Sequence, residues 1–299
     1  MPPRRLLVCL LLQLPAAPAM AQAPWAPWLA DSLALRTARP GVTIAVAVAD
    51  PRTGAATGVR RAERFHAAST MKVPIAVALA RQVEAGTLRW DEPVPVRNRF
   101  ASLVDGSPFT LDPADDSDST LYDSIGRDRP LLDLARRMIA RSSNLATNLL
   151  LERVGAAAVQ ALVDALGAGG LEVRRGVEDT KAFRAGRNNT TTAGALAALL
   201  ASIEAGRAAG PAATDTVRAL LLAQEFNDAL PAGLPAGTRI AHKTGEISGI
   251  THDAGIVYPP GRAPYVVVVL TRGFATRAEG AAAIADLSAL VWRAVTGRT

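Results

Sequence analysis

The alternation of large and small apolar residues predicts a β-strand near the start of the chain. Residues 42–50 alternate in this way, so that one face is large and the other small. A period of two with β-branched residues is typical of a strand, and a small face leaves room for helices to pack closely. The large face comprises Val42, Ile44, Val46 and Val48, and the small face Thr43, Ala45, Ala47 and Ala49. Residues 50–54 have turn composition, so a hairpin follows.

The other end of the chain predicts more sheet, and the middle predicts helices. Residues 255–258 and 265–271 have strand character on either side of a Pro-Pro-Gly turn, and residues 276–295 have a helical pattern. Residues 24–39 also have a helical pattern, which ends before Pro40-Gly41. The segment from 69 to 224 is almost entirely helical in pattern, with Pro/Gly-rich or polar breaks.

These patterns predict an α+β fold, in which terminal helices flank an antiparallel sheet and an all-α domain is inserted. The sheet domain would be discontinuous, built from residues 22–68 and 225–299, and the helical domain would comprise residues 69–224. The chain has 299 residues, of which 49% are hydrophobic, so it can bury a large core.

The first 21 residues have the pattern of a secretory signal peptide. Arg4 and Arg5 precede a short apolar run, and Ala19-Met20-Ala21 matches a cleavage site. We therefore expect a mature protein that begins at Gln22 and is periplasmic or secreted. The apolar run is too short to span a membrane, and no later run approaches the roughly 18 residues that a span requires.

Composition argues against several classes of function. Cys9 is the single cysteine and would leave with the signal peptide, so the mature chain would lack a thiol nucleophile or a disulfide. Arginines are scattered and aromatic residues few, which disfavours nucleic-acid binding. His66, His242 and His252 lack metal-ligand spacing, so we expect neither a metal nor a cofactor. His252-Asp253 is expected at a strand end near the rim of the site, where His252 could touch substrate.

Lysine is scarce, and two of the three lysines stand in short motifs. Of 33 basic residues only Lys72, Lys181 and Lys243 are lysines. Codon bias would explain why lysine is scarce, but it does not explain why two of the lysines stand in motifs. These motifs are Ser69-Thr70-Met71-Lys72 and Lys243-Thr244-Gly245. A buried lysine beside another cation can lose its proton near neutral pH, whereas a guanidinium stays charged.

The spacing of Ser69 and Lys72 suits proton transfer. If a helix opens at Ser69, the two side chains lie on one face, and the serine lies at the positive end of the helix dipole. To act as a base near neutral pH, Lys72 must have its pKa lowered by about three from roughly 10.4. Burial beside Lys243 would supply this change.

A third motif, Ser142-Ser143-Asn144, lies between the other two and opens a mostly apolar run. The three motifs in this order resemble the penicillin-recognising serine enzymes, and most closely the class A β-lactamases. The resemblance covers nearly the whole mature chain and implies a β-lactamase/transpeptidase-like fold, with the active site between the sheet domain and the helical domain. It also implies roles for the motif residues. Ser69 would be the acylated nucleophile, Lys72 would accept or relay its proton, and Ser142 would pass a proton to the leaving nitrogen.

The resemblance also implies residues that bind the substrate. Asn144 would hydrogen-bond the side-chain amide of the substrate, and Lys243 and Thr244 of the Lys243-Thr244-Gly245 motif would anchor its carboxylate. The backbone N–H groups of Ser69 and Glu246 would form the oxyanion hole.

Deacylation distinguishes a β-lactamase from a penicillin-binding protein in this comparison. Residues 175–183 resemble the loop that carries the water-activating carboxylate in class A enzymes, and Glu178 is the best candidate. The loop is slightly short, however, and Ala182 stands where the family has an asparagine that helps to hold the water. Asn188 and Asn189 are candidate substitutes. Alternatively, Glu178 and Asp179 are loop carboxylates that Arg174, Arg175 or Lys181 neutralises.

Two further departures concern the second motif and the segment before it. Ser143 replaces the family's usual aspartate. Residues 112–123 form an acidic insertion without the glycine and glutamate of a calcium loop, so we expect a solvated loop that either reshapes the rim of the pocket or has no role.

Three functions remain open. The first is a serine β-lactamase that forms an acyl-enzyme on Ser69 and deacylates it with water activated by Glu178. The second is a related D,D-peptidase or esterase that releases β-lactams slowly, and the third is a non-catalytic sensor of β-lactams or cell-wall fragments. In each case we expect a monomer that binds a small β-lactam or peptidoglycan-like molecule.

Overall fold

The computed structural model describes residues 26–297. The predicted signal peptide, residues 1–21, lies outside this range. The described strands are β1 (Thr43–Ala49), β2 (Ala56–Val59), β3 (Arg64–His66), β4 (Pro93–Pro95), β5 (Phe100–Ala101), β6 (Pro108–Phe109), β7 (Asp128–Pro130), β8 (Thr190–Thr192), β9 (Arg239–Ile247), β10 (Ile250–Tyr258) and β11 (Tyr265–Arg272). The described α-helices are α1 (Ala26–Thr37), α2 (Lys72–Glu84), α3 (Leu131–Ala140), α4 (Asn144–Val154), α5 (Ala156–Ala165), α6 (Thr180–Arg184), α7 (Ala193–Glu204), α8 (Pro211–Leu222) and α9 (Arg277–Thr296). Short 3-10 helices span Ala68–Met71, Ser119–Ser124 and Pro231–Gly233.

The main sheet joins strands from both ends of the chain, as predicted. Its order is β2-β1-β11-β10-β9, and every neighbouring pair is antiparallel. Strand β1 pairs with β11, so the first strand of the described chain lies beside the last. Strand β9 is at one edge, and it carries the Lys243-Thr244-Gly245 motif.

The two faces of the sheet form two hydrophobic cores, and the alternation in β1 assigns its residues to them. Ile44, Val46 and Val48 pack with residues of α1 and α9. Ala45 and Ala47 face the other core, which includes residues of α2 and α7. Small side chains on this face allow helices to approach the strand closely, which confirms the prediction from the alternation.

The prediction of an almost entirely helical middle segment is wrong for residues 93–130. This stretch contains the short strands β4 to β7 and one 3-10 helix. Prolines explain the difference, because a proline lacks the N–H that a helix interior requires and disfavours helical geometry before it. They are Pro93, Pro95, Pro108, Pro113 and Pro130.

Strand β9 and the first half of β10 were not predicted. They form a hairpin in which Thr244 pairs with Asp253. Both faces of β9 are buried along most of its length, so its sequence does not alternate between apolar and polar residues. Within residues 26–297, no helix combines the length and the apolar character needed to cross a membrane.

Candidate active site

Ser69 lies in a 3-10 turn, and the α-helix begins three residues later at Lys72. A helix therefore does open around Ser69, but its first turn is a 3-10 turn, and the α-helix follows it. Pro74 gives the physical reason, because a proline fits the first turn of an α-helix, where N–H groups have no helical partner. Ser69 remains just before the positive end of α2, and it lines a cleft of about 1270 Å³.

Lys72 is fully buried and connects the second motif to the first. Its Nζ donates to the Ser142 carbonyl at 2.6 Å, to Ser142 Oγ at 3.1 Å and to Asn144 Oδ1 at 2.9 Å. Burial lowers the pKa of Lys72 to about 7, while the negative charges of Asp116 and Glu178 oppose this change. Burial is thus the main cause, and the second cation that the sequence suggested is not needed to explain it.

Glu178 lies across Asn144 from Lys72. Asn144 Nδ2 donates to Glu178 Oε1 at 2.6 Å, so one amide links the lysine to the loop carboxylate. Burial raises the pKa of Glu178 above its ordinary value, the Asn144 hydrogen bond and Lys72 lower it, and Asp116 and Asp115 raise it further. A carboxylate with a raised pKa is a stronger base once it is ionised.

Backbone strain concentrates around this site. In residues 26–297, four non-glycine residues have positive φ, and three of them are Ala68 (45°), Ser142 (58°) and Glu178 (62°). Left-handed backbone is unfavourable for these residue types and persists where the surroundings enforce it. Each of the three lies in the cleft wall.

Strand β9 supplies the opposite wall of the cleft. Thr244 and Glu246 line it, while Lys243 is fully buried and donates from Nζ to the Thr244 carbonyl at 3.0 Å. A methyl group added at Gly245 would lie 3.2 Å from the Ser69 backbone nitrogen. Glycine therefore lets β9 approach the nucleophile, which brings the two expected oxyanion donors, Ser69 N–H and Glu246 N–H, to neighbouring segments.

The charge of Lys72 acts on the second buried lysine, Lys243. Burial lowers the pKa of Lys243 well below its ordinary value, and the charge of Lys72 lowers it further, while Asp253 opposes the change. Two ammonium groups are thus disfavoured together in this part of the protein.

The loop that carries Glu178 is held by hydrogen bonds to its backbone. Asn148, on α4, donates from Nδ2 to the Val177 carbonyl at 3.1 Å and accepts from Val177 N–H at 2.7 Å. Asn189 Oδ1 accepts from the N–H groups of Arg174 and Arg175. A methyl group on Gly176 would lie 2.3 Å from Asn148 Oδ1, so glycine is required for this contact.

Neither candidate substitute for the family asparagine contacts Glu178. Asn189 is buried against the loop backbone, and Asn188 Oδ1 accepts from Arg175. The amide that does contact Glu178 belongs to Asn144. Ala182 is fully buried at the start of α6.

Among the described residues, no basic residue of the loop forms an ion pair with Glu178, as the alternative interpretation would require. Arg174 pairs with Glu172, and Lys181 pairs with Asp105 at 2.8 Å. Asp179 accepts hydrogen bonds from Ser102 Oγ, Leu103 N–H and Ala182 N–H, and Arg175 contributes to lowering its pKa. Arg175 therefore influences Asp179, but none of these cations forms an ion pair with Glu178.

The expectation for His252 is wrong. Strand β10 begins at Ile250, so His252 lies within the strand and is fully buried. Its Nε2 donates to the His66 carbonyl at 3.0 Å and its Nδ1 accepts from Thr271 N–H at 3.1 Å. Burial lowers the pKa of His252 to about 4, so it is neutral and does not face substrate.

The acidic insertion is also not simply a solvated loop. Asp112, Asp115 and Asp123 are exposed, but Asp116 and Asp118 are buried, with 7% and 2% exposed. Asp118 pairs with Arg137 and Arg141. Asp116 accepts hydrogen bonds from N–H groups at the start of α4, so the insertion contacts the second motif.

A comparison with known proteins identifies the family. The model of the "Beta-lactamase enzyme family" matches residues 29–295. This chain belongs to that family. β-Lactamase AST-1 of Nocardia asteroides is 32% identical over 235 residues, which cover 77% of this chain and 72% of that protein. The carbapenem-hydrolysing β-lactamase KPC of Klebsiella oxytoca is 30% identical over a match that covers 78% of this chain and 76% of that protein.

Solved structures agree with this assignment. The class A β-lactamase of the last common ancestor of Gram-negative bacteria has a TM-score of 0.76 and 31% identity, covering 89% of this chain and 98% of its own. The structure of PBP-A has a TM-score of 0.77 and 28% identity, covering 91% of this chain and 97% of its own. The predicted β-lactamase/transpeptidase-like fold is confirmed, and the protein is a serine hydrolase of the class A β-lactamase type.

Residues 26–297 contain no group of three or more His, Cys, Asp or Glu side chains that could hold a metal ion. Sequence reasoning missed Asn148 and Asp116. Asn148 had a signal, because it is a polar residue four positions after Asn144 in a mostly apolar run. Asp116 had none beyond its place in an unexplained insertion.

Proposed function

We propose that the protein hydrolyses the amide bond of β-lactams through an acyl-enzyme on Ser69, which water activated by Glu178 then cleaves. The observation that carries this proposal is a continuous hydrogen-bonded series, which runs through Ser142, Lys72, Asn144 and Glu178. Ser69 lines the same cleft. Membership of the β-lactamase family supports the reaction class.

In the acylation step, neutral Lys72 accepts the proton of Ser69 Oγ as the oxygen attacks the lactam carbonyl. The Ser69 and Glu246 N–H groups stabilise the oxyanion, and loss of one such donor typically costs about 10²- to 10³-fold in rate. Collapse of the intermediate breaks the C–N bond, and the proton passes from Lys72 through Ser142 to the leaving nitrogen. The Lys72 Nζ to Ser142 Oγ contact supports this route.

Substrate binding involves the remaining motif residues. Asn144 borders the cleft and has an amide that can pair with the side-chain amide of the substrate, although here it contacts both Lys72 and Glu178. Thr244 lines the cleft, and Lys243, buried beneath it, would attract a substrate carboxylate in its ammonium form, which a bound carboxylate in turn stabilises against the effect of burial.

In the deacylation step, ionised Glu178 takes a proton from water, the hydroxide attacks the ester carbonyl, and the proton returns to Ser69 as the C–O bond breaks. Burial supports Glu178 as the base, since it raises the pKa of this carboxyl. The Asn144 amide holds the Glu178 carboxylate and would take the orienting role that the family assigns to an asparagine in the place of Ala182.

A second candidate is an acyl-serine D,D-peptidase with slow release of β-lactams. The likeness to PBP-A favours it, because a mutant of PBP-A has been solved as an acyl-enzyme complex with penicillin G. Ser143 and Ala182 are the residues of this chain that depart from the class A pattern. Export to the periplasm or the medium, and a monomeric state, remain predictions from the sequence.

Steady-state hydrolysis distinguishes the two candidates. A chromogenic cephalosporin and an N-acyl-D-Ala-D-Ala peptide are each incubated with the wild type and with Ser69→Ala. We expect many turnovers of the cephalosporin, none of the peptide, and no activity in Ser69→Ala. Peptide turnover with a single, stoichiometric reaction of the cephalosporin would instead establish the peptidase, and activity that survives in Ser69→Ala would exclude both.

A further inference from the structure

The carboxylate of Asp116 lies on the first turn of the helix that carries the second motif. It accepts from Asn144 N–H through both oxygens, each at 3.0 Å, and from Leu145 N–H at 2.9 Å. Asp118 N–H donates to it at 3.0 Å and Tyr122 OH at 3.1 Å. The side chain comes from the acidic insertion and is separated from Asn144 by 28 residues of sequence.

This carboxylate completes the hydrogen bonding of the N-terminus of α4. The first N–H groups of a helix have no helical partner. Asp116 satisfies those of Asn144 and Leu145, Ser143 Oγ accepts from Ala146 N–H at 3.3 Å, and the Ser143 carbonyl accepts from Thr147 N–H at 3.2 Å. Ser143 alone could not satisfy all of them.

The charge of Asp116 is placed to act on the site. Among residues 26–297 no basic side chain forms an ion pair with it within 4 Å, whereas the neighbouring Asp118 pairs with Arg137 and Arg141. The residue whose N–H it binds, Asn144, in turn accepts from Lys72 Nζ. The charged groups that act on Lys72 are Asp116 and Glu178, and those that act on Lys243 are Lys72 and Asp253.

We propose that Asp116 is a positioning residue for the proposed acylation reaction: it supplies, from the insertion, the carboxylate that Ser143 lacks. It fixes the start of α4, and thereby Ser142 and Asn144, and it holds a negative charge close to Lys72. The inference rests on the proposed role of Lys72, and its first test does not require catalysis.

The scarcity of lysine makes a direct test possible. With ¹³Cε-labelled lysine, the three lysines give three side-chain NMR signals, and Lys72→Arg assigns that of Lys72. We expect Lys72 to titrate near pH 7 in the wild type. In Asp116→Asn the midpoint moves to lower pH, because a negative charge that stabilised the ammonium form is removed. An unmoved midpoint would overturn the proposal.

Asp118→Asn is the matched control. It removes a buried carboxylate from the same loop, one that binds the side chains of Arg137 and Arg141 instead of the N–H groups of α4. We expect its Lys72 midpoint to equal that of the wild type. A shift of the same size in both variants would mean that the loop, and not the Asp116 carboxylate, acts on Lys72, which contradicts the proposal.

Kinetics tests the positioning. Asp116→Asn is expected to acylate about ten- to hundredfold more slowly at the pH plateau, the usual cost of losing a charged hydrogen-bond acceptor. Asp116→Asn/Ser143→Asp returns a carboxylate to the N-cap and should recover both the rate and the Lys72 midpoint. If the single variant fails to fold, this double variant carries the test, and a midpoint that stays low in it contradicts the proposal.

These readouts separate the two proposals. A Lys72 midpoint that depends on Asp116, in a protein that forms no adduct on Ser69, would refute the proposed function and leave the placement of the Asp116 charge intact. An adduct that forms at the wild-type rate in Asp116→Asn would refute the positioning role alone.

Discussion

The burial of Lys72 predicts how acylation depends on pH. Its Nζ has three hydrogen-bond contacts, all to oxygen atoms of Ser142 and Asn144, and no part of the side chain is exposed. If Lys72 is the base for Ser69, only its neutral form reacts. Acylation is therefore fast above the pKa of Lys72 and is lost as the pH falls through it.

The fraction of Lys72 that is neutral, and so able to act as the base, follows from the change in its pKa. The pKa falls from an ordinary value of 10.5 to about 7. A difference of about 3.5 corresponds to about 5 kcal/mol of environmental bias toward the neutral amine. At pH 7 about half of the Lys72 side chains are then neutral, compared with roughly one in 3,000 for an unperturbed lysine.

Single-turnover kinetics measures the pH dependence of acylation directly. Acylation of the wild type by an excess of chromogenic cephalosporin is followed by stopped flow between pH 5 and 10, and the rate constant should level off above about pH 8 and fall about tenfold per pH unit below about pH 6. Lys72→Arg should not acylate, because a guanidinium keeps its proton. A rate that still rises between pH 9 and 10, or acylation of Lys72→Arg at the wild-type rate, would refute this reasoning.

Three other substitutions test the loop that carries Glu178 and the β9 side of the cleft. Asn148→Ala should lose about 1 to 3 kcal/mol of unfolding free energy in urea and deacylate more slowly, because the Val177 N–H and carbonyl lose their partner. The control is Asn98→Ala, which breaks an equivalent pair of hydrogen bonds to Leu111 and should leave deacylation unchanged. Equal deacylation rates in the two variants would contradict the role of Asn148. Gly176→Ala should displace Asn148 and show the same defect, so a double-mutant cycle in which the two effects add would be evidence against a shared contact. Lys243→Arg keeps the charge but overfills a buried site, so KM for the cephalosporin should rise more than kcat falls, and the reverse pattern would contradict an anchoring role.

Local patterns predicted part of the main sheet, namely β1, β11 and the second half of β10, and they singled out Lys72, which is buried. Strand β1 is buried on both faces. Its large residues Ile44, Val46 and Val48 pack in one core and its small residues Ala45 and Ala47 in the other, so the alternation of size is visible in the sequence. Lys72 was recognisable because a lysine among arginines in a Ser-x-x-Lys motif has a chemical reason to be there. Both inferences use residues close together in sequence.

Contacts between distant segments were beyond such patterns. Asp116 caps a helix that begins 28 residues later, and nothing in the composition of an acidic insertion distinguishes its buried carboxylates from its solvated ones. His252 was misplaced because the start of β10 was predicted several residues too late, so that its burial could not be anticipated. The identity of the amide that contacts Glu178 likewise depends on how α4 packs against the loop.

Time-resolved intact-mass spectrometry shows whether Glu178 drives the turnover of an acyl-enzyme on Ser69. The wild type, Glu178→Gln and Glu172→Gln are mixed with a cephalosporin; Glu172 is a carboxylate of the same loop region that pairs with Arg64 and Arg174. We predict that Glu178→Gln alone accumulates one stable adduct, mapped to Ser69, while the wild type and Glu172→Gln turn over with little adduct. Wild-type turnover in Glu178→Gln would rule out Glu178 as the base for deacylation, and a stable adduct in the wild type would rule out rapid β-lactam hydrolysis.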